Sequence, residues 1–430
     1  MQDTIDRLID DFHERSMPSP LSREAELPRL PGKANVVIGM RRSGKTWFCF
    51  QEMRRLLADG VERERILYVN FEDERLLPFA TGDFQTLLDT YFRKFPSFRE
   101  GGAHLFLDEA QRIDGWELFV RRVLDSEKLD VVVTGSSSRL LGSEIATALR
   151  GRSLTTEIFP FDFTEFLRWN DVDPEPRTLG TRTRSRLERM AGVYLEQGGF
   201  PEVQGLDAHL RRQVLRNYVD VVILRDVIER HGIGNVAALR AMIRHIMSAP
   251  ANRFSVNRFY NTLRSQGVAA TKNALYDFLE HLVDAYLFFD VPLHSRSENV
   301  RRVNPRKLYV IDPGLLEAMS PPTAADRGAR LENLVFLHLR RSGHRPEYYL
   351  TKSGREVDFV VTPEGRGARR LIQVCWDLAD PDTRAREVTA LREAMRELRI
   401  RSGTIVTWLD EDSSEEGIRI VPVWRWLLSG

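Results

Sequence analysis

Residues 39–46 run from Gly39 through Met40, Arg41, Arg42, Ser43, Gly44 and Lys45 to Thr46, and an apolar stretch from Val36 to Ile38 leads into them. Glycines at this spacing let a loop turn successive N–H groups inward onto a triphosphate, because Gly39 and Gly44 take backbone angles that other residues resist. Lys45 supplies a point charge for the outer phosphates, and the Thr46 hydroxyl is spaced to bind Mg²⁺. A helix opening at Gly44 adds the positive end of its dipole. The pattern predicts a nucleotide site built from Gly39, Arg42, Ser43, Gly44, Lys45, Thr46 and Trp47, with ATP and Mg²⁺ as its cofactors.

A second run, from His104 through Leu107, ends in Asp108 and Glu109. Apolar residues closed by two carboxylates describe a buried parallel strand whose C-terminal end points at a nucleotide. Asp108 is expected to hold Mg²⁺ through its water shell, and Glu109 to polarise the attacking water as general base. A core strand with a solvated acid pair at its end is the plainer alternative; a phosphate loop upstream in the same chain outweighs it. A third run, 130–135, ends in Ser136, Ser137, Ser138 and Arg139. Ser136, or a serine beside it, either contacts the γ-phosphate or the attacking water, or caps the following helix. The two roles are compatible.

These residues need a frame to position them. Strand-like runs at about 35–39, 65–70, 103–108, 130–135 and 154–158 alternate with helical patterns, which argues for a parallel sheet covered on both faces. Residues 1–33 read as a helix followed by a proline-spaced extended arm. Glu72, Asp73 and Glu74 fall at the same sheet edge as the phosphate loop, where they either position metal-bound water or are simply solvated. From Asp162 to Ile233 the pattern is helical, with Gly198, Gly199, Phe200 and Pro201 inside it; Arg225 there reads as a surface ion pair.

Residues 237–292 change character. Two short helices capped by Ser255 and Thr271, joined by a turn containing Gly267 and followed by apolar runs at 286–291 and 307–311, describe a winged helix-turn-helix. Its second helix would present Thr271, Lys272, Asn273 and Tyr276 to a DNA groove or backbone, with Arg301, Arg302, Arg306 and Lys307 in the wing. The last hundred residues hold another αβ unit with Glu332 on a helix and Asp358 on a strand. This order resembles the restriction-endonuclease-like fold. Active members carry a second acid and a lysine on the next strand to bind Mg²⁺ and orient the nucleophile. Here those positions read Gln373 and Cys375, so the resemblance implies a retained scaffold without nuclease chemistry.

Over nearly its whole length the chain resembles the prokaryotic AAA+ ATPases that couple a P-loop domain to a C-terminal domain of uncharacterised function. The carriers are Gly39–Thr46, residues 107–111, 134–139 and 149–152, Gly198–Glu202, and Glu356–Phe359. The first two are specific for nucleoside-triphosphate hydrolysis. The resemblance implies an α/β multidomain protein: a P-loop AAA+ core at 1–161, a helical lid at 162–235, a winged helix at 236–320 and a degenerate restriction-endonuclease-like domain at 321–430. It also implies that Arg152, with Arg150 as fallback, reaches into a neighbouring subunit's site, and hence a homo-oligomeric ring, expected to be a hexamer.

Composition narrows the classes. At 430 residues the chain has room for several domains, and 42% hydrophobic with 29% charged residues is ordinary globular make-up. A net charge of +1 gives no global field toward nucleic acid. Only seven of the 63 basic residues are lysines, a bias that suits phosphate recognition but equally follows from a GC-rich genome. Two cysteines, Cys49 and Cys375, make neither a disulfide framework nor a zinc pattern. Without a basic and apolar leader or a membrane-length run, the expectation is a cytoplasmic protein with no membrane association. Three functions compete: an ATP-driven machine on DNA, acting on forks or junctions; a nucleotide-dependent switch on a protein partner, of the signalling or toxin–antitoxin type; and a metal-dependent nuclease with an auxiliary ATPase.

Overall fold

The computed structural model describes residues 1–135, 148–320, 326–363, 367–412 and 414–429, and the chain divides into two compact units, Met1–Phe159 and Pro160–Gly430. In the first unit the strands β1 (Ala34–Ile38), β2 (Ile66–Asn70), β3 (Ala103–Asp108), β4 (Leu129–Gly135) and β5 (Ser153–Glu157) form one sheet in the order β2-β3-β4-β1-β5. Every pairing is parallel. For β1 to β4 this is what near-continuous apolar runs predict, because strands buried on both faces have no polar side to alternate; β5, at the sheet's edge, is polar and only half-buried.

Helix Lys45–Ala58 follows β1 and buries Phe48, Cys49 and Met53 against Val37, Phe106 and Val132. The opening helix, Gln2–Glu14, buries Ile5, Ile9 and Phe12, one stripe at helical spacing, and packs on helix Asp83–Lys94. The proline-spaced arm then runs to the sheet. Its Arg23 donates to the backbone carbonyls of Ser43, at 3.2 Å, and Phe159, at 2.5 Å, and so ties the phosphate loop to the end of β5.

The second unit begins with helices Phe163–Trp169, Thr181–Gln197 and Ala208–Val221, the last running on into a π-helical stretch, Val222–Glu229. Thr181–Gln197 and Ala208–Val221 pack on the short helix Pro313–Met319. The segment expected to be a lid is therefore packed inside this second unit. Arg225 pairs with Glu229 at 2.8 Å, the surface ion pair that its sequence context suggests.

Next come helix Val236–Met247, strand β6 (Arg253–Phe254), helices Val256–Ser265 and Lys272–Asp284, strand β7 (Phe288–Val291), helix Glu298–Val303 and strand β8 (Arg306–Val310). The three strands pair antiparallel in the order β6-β8-β7. Helix Arg327–Arg341 leads into β9 (Glu347–Leu350), β10 (Glu356–Val361) and β11 (Arg370–Cys375), then helix Pro381–Leu398, β12 (Gly403–Thr407) and β13 (Ile418–Pro422). This sheet has the order β13-β12-β11-β10-β9, antiparallel around β10 and parallel from β11 to β13.

Candidate functional site

The phosphate loop leaves the C-terminal end of β1. Gly39 has φ 149°, and a Cβ there would stand 2.1 Å from the Ile158 carbonyl oxygen and 3.0 Å from Ser43 Oγ, so only glycine fits. Gly44, at φ 101°, is the left-handed residue from which helix Lys45–Ala58 starts. Lys45 is 5% exposed; its Nζ donates to the Gly39 and Met40 carbonyls at 3.2 Å each and lies 3.6 Å from Glu109 Oε1. Ser43 is buried and its Oγ has no hydrogen-bond partner among the described residues, an orphan hydroxyl inside the loop. Arg42, with φ 67°, and Trp47 are exposed at the loop's rim, and Trp47 meets Phe50 edge-on.

Asp108, at the end of β3, is 1% exposed and hydrogen-bonded on both oxygens. Thr46 Oγ1 donates to Oδ2 at 2.8 Å and the Tyr68 hydroxyl to the same oxygen at 2.9 Å, while Thr134 Oγ1 donates to Oδ1. Burial raises its pKa, and the hydrogen bonds from Thr134 and Thr46 oppose that. Burial likewise pushes up the Tyr68 hydroxyl, which keeps its proton and remains a donor. Glu109 has φ 54°, uncommon for a residue with a side chain, and its N–H donates to Thr134 Oγ1 at 2.9 Å. Thr134 therefore accepts from Glu109 and donates to the residue before it, Asp108.

The phosphate loop and the two acids thus meet at one sheet edge. A cradle that excludes any Cβ, an orphan hydroxyl, a buried ammonium, and a hydroxyl paired with a carboxylate make a donor set that fits a nucleoside triphosphate with a divalent cation. Thr46 and Asp108 are the residues that would hold that cation. Sequence reading gave no role to Tyr68, Thr134 and Arg23, although Thr134 opens one of the segments that carry the family resemblance and puts a hydroxyl at the end of a largely apolar strand. Glu72 is taken by Arg41 at 3.5 Å and Arg112 at 3.0 Å, and Asp73 caps a short turn through the Arg75 N–H. Ser136 lies outside the described residues.

Arg152 is not at this edge. Its carbonyl accepts the Ala34 N–H at 2.8 Å, which puts it at the N-terminal end of β1 and β5, and its guanidinium pairs with Asp125. Arg150 is exposed with φ 50°. In the second unit, Thr271, Lys272, Asn273 and Tyr276 are all exposed, and Lys272 Nζ lies over the Tyr260 ring at 5.4 Å. Arg302 is exposed, whereas Arg301 pairs with Glu347 at 2.9 Å. One wing residue needs correction: Lys307 is 2% exposed and faces Glu332, Glu356 and Asp358, not a nucleic-acid surface. Along β8 only the first residue, Arg306, is exposed; Lys307 to Val310 are all buried, so the basic pair straddles the point where the strand enters the core.

Residues 31–167 match the family model described as an AAA domain. Residues 191–326 and 327–426 match two further models, each described as a domain of unknown function. The uncharacterised protein MJ1544 of Methanocaldococcus jannaschii is 34% identical over 98% of this chain and 94% of its own length. An uncharacterised protein of Haemophilus influenzae is 28% identical over 91% of this chain and 94% of its own. Among solved structures, the Aeropyrum pernix ORC1 protein in complex with DNA aligns with 74% of this chain and 91% of its own at 15% identity, with a TM-score of 0.28, too low for a shared arrangement to be read from it. No helix among the described residues is long and apolar enough to cross a membrane.

Proposed function

From a chain that belongs to the family of MJ1544 and carries an AAA domain at its phosphate loop, we infer an AAA+ ATPase whose hydrolytic centre is Lys45, Thr46, Asp108 and Glu109. The observation that carries this is the network joining Thr46, Tyr68 and Thr134 to Asp108, with Glu109 held beside Lys45. Lys45 and the loop N–H groups hold the outer phosphates. Mg²⁺, when bound, draws electron density from the phosphate oxygens. Glu109 takes the proton of the attacking water as that oxygen bonds the γ-phosphorus and the bond to the ADP oxygen breaks. Glu109→Gln should bind nucleotide as before and lose at least about a hundredfold in turnover, because an amide holds water but cannot accept its proton. Steady-state hydrolysis beside nucleotide titration reads both, and wild-type turnover in this variant would remove Glu109 from the mechanism.

The work that ATP drives is, in this reading, done on DNA. Helix, short strand, two helices and a two-stranded wing, in the order seen from Val236 to Val310, support a winged helix. Its exposed Lys272, Asn273 and Arg302 are the contacts proposed. A cleft of about 510 Å³ whose lining includes Arg296, Arg369 and Arg399, with one acid, Glu397, among them, adds guanidinium groups suited to phosphate. From Arg327 onward, one helix, three antiparallel strands, a second helix and a parallel strand support a restriction-endonuclease-like scaffold, with Gln373 and Cys375 in place of its acid and lysine, and we expect no cleavage from it. Arg152 supports ATP hydrolysis at subunit interfaces, hence a ring. Lys272→Glu with Arg302→Glu should weaken DNA binding several-fold and flatten its salt dependence. Unchanged binding, with turnover indifferent to single-stranded, duplex, forked and four-way DNA, would favour a nucleotide-controlled switch on a protein partner. The ion pairing of Arg301 and the burial of Lys307 are the observations on that side.

A further inference from the structure

The acids of the C-terminal module do not stand open. Lys307 Nζ, rising from β8, lies 2.5 Å from Glu332 Oε1, 2.8 Å from Glu356 Oε1 and 3.0 Å from Asp358 Oδ1. One ammonium thus faces three carboxylate oxygens, hydrogen-bonded to Asp358 and ion-paired with Glu332 and Glu356. The rest of the cluster is equally committed. Tyr309 donates to Glu332 Oε1 at 2.6 Å, Val374 N–H to Asp358 Oδ2 at 2.9 Å, and Arg253 pairs with Glu356 Oε2 at 3.2 Å. Gln373, where an active nuclease carries its second acid, accepts from the Asp358 N–H at 3.3 Å and donates to Glu387 at 2.7 Å.

Two cations cannot share this space. Mg²⁺ needs oxygens at about 2.1 Å in near-octahedral order, whereas these carboxylates are spread at ammonium distances. Among the described residues no group of three His, Cys, Asp or Glu side chains is arranged to hold a metal ion. Burial alone would lower the Lys307 pKa, but the charges of Asp358 and Glu332 overcome it and hold the ammonium well above its ordinary value. The metal expected of a restriction-endonuclease-like fold therefore does not fit the residues present.

We propose that Glu332, Glu356 and Asp358 form a cation site whose resident cation is the chain's own Lys307, in the place a divalent ion would take. Lys307 comes from the strand bundle that precedes the module, so the same contact pins β8 to β10 and to helix Arg327–Arg341. The inference rests on this cluster's geometry and not on the ATPase reading; a failure of Glu109→Gln to stop turnover would leave it untouched.

The test is Mn²⁺ counted per full-length, nucleotide-free chain by electron paramagnetic resonance. Wild type should bind no Mn²⁺ that Asp358→Asn lacks. A wild-type ion lost in Asp358→Asn overturns the proposal outright, whatever the other variants do. Lys307→Met keeps the stem and removes the charge, and should gain one Mn²⁺ per chain, at least tenfold tighter than any wild-type binding, with a higher melting temperature in Mn²⁺. That gain should vanish in Lys307→Met combined with Asp358→Asn. Three clustered carboxylates without their shared ammonium could unfold the single variant, so Lys307→Met with Glu332→Gln, which removes one of them, provides a second arm that should still gain the ion. A folded variant of either kind with no gain would overturn the proposal.

Discussion

Thr134 shows how much a single hydroxyl can hold at this site. It donates to Asp108 and accepts from the Glu109 N–H, and all three groups are buried. Thr134→Val keeps the volume and the branched shape but leaves a carboxylate oxygen and an N–H without that partner, each at a cost of about 1–3 kcal/mol. Nucleotide binding should stay within a few-fold, since the phosphate loop is untouched, while kcat should fall at least about tenfold as Glu109 loses its anchor. Thr134→Ser should recover most of it. A Thr134→Val enzyme with normal kcat would show that Glu109 is positioned by something else. The phosphate loop and the Asp108–Glu109 pair were legible in the sequence because each is a contiguous pattern with its own chemistry. Tyr68 and Thr134 were not, because they reach Asp108 only through the register of β2 on β3 and β3 on β4. Lys307 was misread for a related reason: a basic residue beside Arg306 looks like part of a basic surface, and only the fold shows that the strand is buried from Lys307 onward, with three carboxylates facing the ammonium.

Among the elements, the five core strands could be read within a residue or two, β1 to β4 because each is a separate apolar run between helical patterns, and β5, which is polar, from its place after the fourth strand and the helical pattern that follows it. Strand β6 has two residues and β13 follows an acidic stretch, so neither announces itself. The Gly198–Gly199 pair was recognised only as a family signature, and its physical reason is packing. A Cβ on Gly198 would stand 2.0 Å from Asp312 Oδ1, and one on Gly199 2.1 Å from the Phe161 carbonyl oxygen. Asp312 is fully buried and caps helix Pro313–Met319, accepting from Gly199 N–H at 2.6 Å and Gly314 N–H at 2.8 Å. Burial pushes its pKa up to about 6 despite those bonds. Unfolded, the group titrates near 3.9, so between about pH 4 and 6 the folded chain keeps a proton the unfolded chain has released. Its contribution to stability is therefore fully present below about pH 4, is lost as pH rises to about 6, and is constant above. A shift of this size is worth on the order of 2–3 kcal/mol. Urea unfolding of wild type and Asp312→Asn across pH 4–8 isolates the effect, because other titrating groups cancel in the difference. A difference that stays flat from pH 4 to 8 would mean Asp312 is ionised at no cost.

At the scale of the whole molecule the question is whether one chain suffices for hydrolysis. Arg152 sits where β5 begins, bonded to the first residue of β1, and five strand residues separate that point from Gly39. At about 3.3 Å per residue this is roughly 17 Å, well beyond the reach of an arginine side chain. Arg152 cannot touch its own γ-phosphate. Its pairing with Asp125 is partly exposed, and surface pairs of this kind contribute only about 0–1 kcal/mol, so the guanidinium can leave Asp125 for a stronger anion. A neighbouring subunit's triphosphate is such an anion, and a head-to-tail contact that delivers Arg152 to it closes into a ring when its rotation permits. No pattern within one chain reveals that rotation, which is why the hexamer remains a proposal while the arginine's distance from its own loop is a matter of geometry. Subunit mixing tests it. Arg152→Ala and Lys45→Ala should each be inactive alone, the first losing at least about a thousandfold if the guanidinium stabilises charge in the transition state. Mixed together, some interfaces pair an intact Lys45 with an intact Arg152, and partial turnover should return, rising with protein concentration as rings assemble. Normal turnover in Arg152→Ala, or a wild-type chain that stays monomeric by sedimentation with saturating ATP, would leave Arg152 as nothing more than the partner of Asp125.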